Sequence, residues 1–413
     1  MTATAAAALF RQVSAYVLLV FGAAAVLFTI FPGAILALFA PGLDRPEALL
    51  GRVPLVCAAL AIPLTAASGV TTAYLNANHR FLIAGCGTVV FNLCIVASLA
   101  LGPDVVDQLT LLALGVLAGA LARSAMQLAI IPRVTWQAIT FGGVADRKFL
   151  HAFGAGILAT GLALLAPIII RAMASLIGTG AIAAFNYAQK LIELPMGILI
   201  TAISTVALTR LSGLHAADRR IEAEQAAYLD LRRALLIAIA AALMGATFAG
   251  SFITLAFGGG AMDGAAIARV TDLTVIALAG LPFLAVSSIA TASLNARLQT
   301  PTVLRTTGVS LLFLPFLALP GLWLGSEKLL MAAVVAFQAI LAFGLAARAH
   351  FRIWGDASVF SQRMAKALLL SIAMSVLVLS LDRVLNLQGD LLRLMLGGVG
   401  FLVTAFFSIR ILR

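Results

Sequence analysis

The chain has 413 residues, of which 62% are hydrophobic and only 10% charged, with a mean hydropathy of +1.11. Soluble domains carry about 25% charged residues, and the 43 Lys, Arg, Asp and Glu side chains here are too few to coat a soluble surface. Composition therefore excludes a soluble enzyme, a disordered chain and a nucleic-acid-binding domain. The apolar runs are continuous rather than alternating, which excludes an outer-membrane barrel. What is left is an all-α polytopic membrane protein. The net charge of +11 and the pI near 10.6 then read as Lys and Arg gathered in cytoplasmic loops, without a polyanionic partner.

Crossing the bilayer takes about 20 apolar residues. Twelve runs are long enough, at 13–31, 53–75, 81–102, 108–131, 150–172, 181–209, 234–255, 271–294, 303–324, 329–347, 365–381 and 391–409. The Ala-rich stretch from Met1 to Gln12 leads into a span too long for the apolar core of a cleavable signal peptide. Cys57, Cys86 and Cys94 lie in apolar runs without metal-ligand spacing and are read as small buried hydrophobes. The long connections are 132–149, 210–233 and 348–364. With a cytoplasmic N-terminus, 18 Lys and Arg fall on the cytoplasmic side and 7 on the other, leaving Arg123 and Lys190 inside spans. That bias predicts both termini in the cytoplasm. The mixed-charge segment His215–Arg233 is either an amphipathic helix along the membrane face or a solvated connector.

The chain repeats itself. Pro63–Ala77 and Pro282–Ala296 share eight of fifteen residues at an offset of 219, including Pro63/Pro282, Ser68/Ser287, Thr72/Thr291 and Asn76/Asn295. The same offset lays the first four spans on the seventh to tenth. Partners are separated by an even number of spans, so the repeat is parallel, as in two-lobe secondary transporters with a site between the lobes. Spans 150–172 and 181–209 find no partners, which predicts a first lobe lacking two helices. The expected parts are a four-helix lobe at 1–135, a six-helix lobe at 136–350 and a C-terminal helix pair at 351–413.

Charge inside a span costs roughly 2.5–3.5 kcal/mol on insertion scales, so Lys190 and Glu193 stand out. They are three apart on one helical face and can pair, with Gln189 beside them. Either these groups line a polar cavity that meets an anionic, hydrogen-bonding substrate, or Lys190 and Glu193 only neutralise each other. Pro195 removes a backbone hydrogen bond in mid-span and offers a hinge. Arg171 ends the preceding span, where it adds to a cationic cavity or snorkels to the headgroups. Arg123 reads as snorkelling or packing. Asn76 and Asn295 read as helix caps in both copies, and Gly115 with Gly119 forms a GxxxG packing pattern. Glu193 is the only carboxylate deep in a span, and His79, His151, His215 and His350 are scattered. No metal cluster, nucleophile elbow or phosphate loop is present, so a non-enzymatic protein without metal or cofactor is expected, driven by a gradient or the membrane potential.

The stretch Asn186-Tyr-Ala-Gln-Lys-Leu-Ile-Glu-Leu-Pro195, with Gly197 following and Leu208-Thr-Arg-Leu-Ser212 ending the span, resembles the lipid II flippase family (MurJ/MviN). The family's pattern there is close to Tyr-Ala-Asp-Arg-Leu-(Met/Ile)-Glu-(Phe/Leu)-Pro. Leu38-Phe-Ala-Pro-Gly42, Leu75-Asn-Ala-Asn78, Asn295-Ala-Arg297 and Thr300-Pro-Thr302 extend the resemblance over nearly the whole chain. It implies two six-helix lobes plus a terminal pair. It also implies alternating-access transport of undecaprenyl-linked peptidoglycan precursor across the bacterial inner membrane, with the head in a cationic cavity and the tail along a groove leading to the last two helices. Lys190 stands where the family has a cavity arginine, Gln189 replaces an acid, and the family's first two helices, which carry further cavity arginines, have no counterpart here. Partners implied are a lipid-linked anionic substrate, the membrane and the cell-wall synthesis machinery, with no nucleic acid. Alternatives are a related exporter of lipid-linked polysaccharide units or cationic drugs, and a non-transporting scaffold of the cell-wall machinery.

Overall fold

A computed structural model describes residues 3–42, 45–77, 80–101, 105–131, 147–260, 262–351, 362–385 and 389–412. Every regular element among them is helical. Backbone groups can be satisfied inside a bilayer only within helices or closed barrels, and this chain uses helices throughout. The protein is an all-α, multi-pass membrane protein.

Two compact units divide the chain, Met1–Ile157 and Leu158–Arg413. The first holds α1 (Ala3–Ile30), α2 (Pro32–Phe39), α3 (Arg45–Ala77), α4 (Phe81–Leu99) and α5 (Val105–Ile130). α6 (Arg147–Ala174) runs across the division. The second unit continues with α7 (Ala181–Pro195), a π-helical turn (Met196–Ile200), α8 (Thr201–Ala216), α9 (Arg220–Phe257), α10 (Gly264–Leu278) and α11 (Leu281–Ala296). It ends with α12 (Thr300–Trp323), α13 (Glu327–Arg348), α14 (Gln362–Leu385) and α15 (Asp390–Leu412).

Among the described residues, eight helices are individually long and apolar enough to cross a membrane: α1, α3, α5, α9, α12, α13, α14 and α15. The pair α10–α11, bent by 43°, makes a ninth if taken as one span. The other three expected spans fall on α4, on α6 and on the succession α7, π-turn, α8.

The offset of 219 is written into the helix boundaries. It carries α3 onto α10 and α11 together, α4 onto the first nineteen positions of α12, and α5 onto α13. Packing repeats too. In the first unit α3 lies against α1 and α5, and α4 against α5. In the second, α11 lies against α9 and α13, and α12 against α13. Even the turn after the repeated Asn is shared: Arg80 N donates to Leu75 O at 2.9 Å, and Gln299 N donates to Leu294 O at 2.9 Å. This six-to-one bond satisfies a carbonyl that a helix end would otherwise leave open.

The copies differ at one point. α3 runs unbroken through Pro63, but its partner breaks before Pro282. Ala61 of the first copy is replaced by Gly280, and a Cβ there would collide with the Gln338 side chain. Missing bulk at Gly280 admits Gln338, and the chain tightens into three-residue turns, with Ala279 N donating to Ile276 O and Gly280 N to Ala277 O.

Each unit has its own cohesion. In the first, polar side chains stitch α3 to α5. The Ser68 and Ser124 hydroxyls bond each other at 2.8 Å, Thr71 Oγ1 donates to Gln127 Oε1 at 2.5 Å, and Thr72 Oγ1 accepts from Gln127 Nε2 and Arg123 Nη2. Arg123 thus has a packing role, next to Gly87, whose missing side chain leaves it room. In the second, α7 packs on α10, α8 on α9 and α11, and α14 and α15 on α9. Gly397 and Gly400 of α15 let Phe248 of α9 and Val378 of α14 come close.

Two expectations change. Residues 220–233 are the first turns of α9 rather than a separate surface helix, with Ala223, Ala227 and Asp230 buried. Asp230 is held by Arg210 of α8 at 2.6 Å. Cys86 is exposed on α4 rather than buried. The connection 132–146 and most of 348–364 lie outside the described residues.

Candidate functional site

α7 and its continuation position most of the singled-out residues. Pro195 has no N–H, so it cannot bond back to Leu191, and the helix passes directly into the π-turn Met196–Ile200. π-turns interrupt α-helices preferentially at functional positions. The hinge expected from sequence at Pro195 coincides with a real change of helix type.

On one side of α7 is a cavity of about 670 Å³ within the second unit. Gln189 and Glu193 of α7 line it, opposite a polar stripe on α11 made by Ser287, Ser288, Thr291 and Asn295. Their spacing of four puts Ser287, Thr291 and Asn295 on one face. Asn295 Oδ1 accepts from Thr300 Oγ1 at 3.1 Å, tying α11 to α12, so its side chain is a link and a lining group rather than a cap. The side chain of Asn76 lies outside the described set. Gln338 also lines the cavity, and its Oε1 is buried with no partner among the described residues.

The opposite side of α7 is apolar. Leu191, Leu194 and Pro195 border a groove of about 280 Å³ with Phe248 and Phe252 of α9 and Leu394 and Phe401 of α15. At 100° per residue, Lys190 falls on the flank between the cavity, whose lining is mostly apolar around its few polar groups, and the apolar groove. It donates to Glu193 Oε2 at 2.6 Å, yet the two side chains keep 68% and 54% of their exposure. A pair this open is worth roughly 0–1 kcal/mol in water.

Of the expected site residues, the structure brings Gln189 and Glu193 to the cavity wall. Lys190 is adjacent, and is not itself part of that wall. Arg171 Nε donates to Asn186 Oδ1 at 2.8 Å, tying α6 to α7 beside the motif. Sequence reasoning missed Gln338 and the role of the α11 stripe. The stripe was visible as polar residues four apart on an otherwise apolar helix. Gln338 carried no signal beyond being a lone amide in a span. Among the described residues, no cluster of His, Cys, Asp or Glu could hold a metal ion.

Comparison with known proteins places this geometry. Among curated proteins, none matches the chain. A solved lipid II flippase MurJ in an inward closed conformation superimposes with a TM-score of 0.78 at 17% identity, over 97% of this chain and 84% of that one. An inward-facing multidrug resistance MATE family transporter of the MOP superfamily gives 0.67 at 16% identity, over 84% and 86%. A MOP superfamily transporter from Pyrococcus furiosus gives 0.59 at 15% identity, over 84% and 82%. At these identities the likeness is one of fold. The family model of lipid II flippase MurJ matches residues 1–400, and the chain belongs to that family.

Proposed function

We propose that the chain moves undecaprenyl-linked peptidoglycan precursor, lipid II, across the bacterial inner membrane by alternating access, with both termini cytoplasmic. The observation that supports this most is the two-sidedness of α7. A lipid-linked sugar–peptide–pyrophosphate needs hydrogen-bonding groups and an apolar groove side by side, with a cation between them. α7 has the cavity at Gln189 and Glu193, the groove at Leu194 and Pro195, and Lys190 on the flank. In this reading Lys190 meets the pyrophosphate, and Gln189 and Glu193 hydrogen-bond the head. The orphan Gln338 Oε1 accepts a donor from the head, Arg171 steadies α7 through Asn186, and Pro195 with the π-turn is the hinge. Segments 1–135, 136–350 and 351–413 act as first lobe, second lobe and tail-groove pair.

The test is complementation of flippase-depleted bacteria, with precursor flipping measured directly. The unaltered chain should restore both. A charge-assisted contact is worth about 1.5–3 kcal/mol, so Lys190→Ala should lower flipping about 10- to 100-fold while the protein still inserts, and Lys190→Arg should retain activity. Lys190→Ala with Glu193→Ala separates the two readings of the pair. If Lys190 serves only to neutralise Glu193, the double variant recovers; if it meets substrate, the double variant stays inactive. An inserted, unaltered chain that fails to restore flipping refutes the proposal.

A further inference from the structure

A second polar pocket lies away from α7, between α12 and α13. These helices form an antiparallel hairpin, with a tight turn at 324–326, so the start of α12 stands beside the end of α13. At that open end is a pocket of about 360 Å³. Arg305 and Arg348 line it, together with Thr302, Ser310 and Thr306, whose Oγ1 donates to Thr302 O at 2.8 Å. Gly344 also lines it, and a Cβ there would press on the Thr306 methyl at 3.0 Å.

Among the described residues no acid pairs with Arg305 or Arg348, the arginines of this pocket, whereas Arg210, Arg219, Arg220, Arg269 and Arg393 all have ion-pair partners. Along the hairpin itself no Asp or Glu occurs between Asp272 and Glu327, nor between Glu327 and Asp356, and Glu327 begins α13 at the far end; Asp356 lies outside the described residues. Two arginines beside one polar pocket repel each other unless an anion lies between them. Guanidinium groups bind phosphate oxygens in forked geometry, and threonine and serine hydroxyls complete such a shell.

The rim identifies the source of the anion. Val309 and Phe313, which also line the pocket, are 58% and 50% exposed, and Leu312 and Phe316 continue the apolar face along α12. A free phosphate has no use for an apolar rim, whereas a lipid has an acyl chain to lay along it. Basic pockets between spanning helices are the sites where anionic head groups bind. We propose that the pocket between α12 and α13 binds the phosphate of an anionic membrane lipid, held by Arg305 and Arg348, with the acyl chains along Val309 and Phe313. This holds whether or not the chain is a flippase.

The experiment uses the full chain in detergent, titrated with phosphatidylglycerol, phosphatidylcholine or inorganic phosphate, and reads lipid retention by native mass spectrometry and thermal stabilisation. Phosphatidylglycerol should bind and stabilise; phosphatidylcholine and inorganic phosphate should not. Arg305→Ala with Arg348→Ala should weaken apparent affinity at least about tenfold, about 1.4 kcal/mol. Both arginines are exposed, so the variant should still fold. Lys at both positions keeps the charge but loses the fork, so binding should fall between that of the unaltered chain and the alanine variant. Arg219→Ala with Arg220→Ala removes the same charge elsewhere and should leave binding unchanged. Full binding by the Arg305/Arg348 alanine variant, or an equal loss in the Arg219/Arg220 control, overturns the proposal. Equal stabilisation by inorganic phosphate overturns the lipid assignment.

Discussion

His215 closes α8 next to two cations. Burial first, then Arg297 and Arg220, hold its imidazole below the ordinary value of 6.5. The folded state therefore prefers His215 neutral. A depressed imidazole stabilises nothing by being charged; as pH falls through about 6.5, the unfolded chain takes up a proton that the folded chain resists. Stability is fully present above the unfolded value and is lost as pH drops toward the folded one. Thermal melts from pH ~7.5 to ~5.5 should thus show a steeper decline for the unaltered chain than for His215→Gln. Equal slopes would show that His215 is not the sensing group. Leu298 presents a different local cost. It adopts φ +58°, is 89% exposed, and forms the turn that returns Gln299 N to Leu294 O. A left-handed residue with a Cβ costs about 1–2 kcal/mol, partly offset by the entropy that glycine loses on folding. Leu298→Gly should raise the melting temperature and Leu298→Ala should not. If the two variants melt together, backbone strain is absent at this turn.

At the scale of helices, close approach is set where side chains are missing. A Cβ on Gly321 of α12 would stand 2.8 Å from Leu330 N and 3.1 Å from Leu330 Cα of α13. A Cβ on Gly119 of α5 would stand 2.8 Å from Phe91 O of α4. These are the same helix pair in the two repeats, drawn together by glycines at different heights. Backbone atoms cannot rotate aside, so Gly321→Ala should cost about 1–3 kcal/mol, as overpacking does. Gly22→Ala in α1, where nothing lies within 4 Å, should be neutral or stabilising. Thermal melts of the two variants compare them directly; a neutral Gly321→Ala would mean that α12 and α13 can part without cost. The GxxxG pattern of Gly115 and Gly119 was readable in the sequence because it repeats at one helical turn. Gly321 acts alone and left no pattern. The repeat was legible for a similar reason: Pro, Ser, Thr and Asn held in one register are improbable in apolar sequence, and α3 to α5 recur as α10 to α13. The break at Gly280 was not legible, since it depends on Gln338 arriving from 58 positions away. Nor could the sequence show which side of α7 faced the cavity. A spanning helix is apolar on most of its surface, so periodicity does not separate a lipid face from a packed one.

For the whole molecule, the orientation in the bilayer follows from charge. The 18-to-7 distribution of Lys and Arg predicts that the turns at 217–219 and 297–299 face the cytoplasm and that the turn at 324–326 faces outward. Structure sharpens the test by supplying exposed positions on both sides. Arg220 is 82% exposed in its side chain and Leu324 is 72% exposed. With Cys57, Cys86 and Cys94 replaced, a single cysteine at 324 should react with a membrane-impermeant maleimide added to intact cells. A single cysteine at 220 should react only after permeabilisation. The reverse pattern would invert the protein. It would also place Arg305 and Arg348 in the outer leaflet and carry the two sides of α7 with it. The two positions lie at opposite ends of the second unit's helices, so they cannot both label from outside unless a span expected here does not cross. Three spans lie between the two positions: α9, the bent pair α10–α11, and α12, the last with prolines inside the helix. Its interior Pro315 and Pro320 remove two backbone donors without breaking it. Double labelling from outside would therefore show that one of these three does not cross.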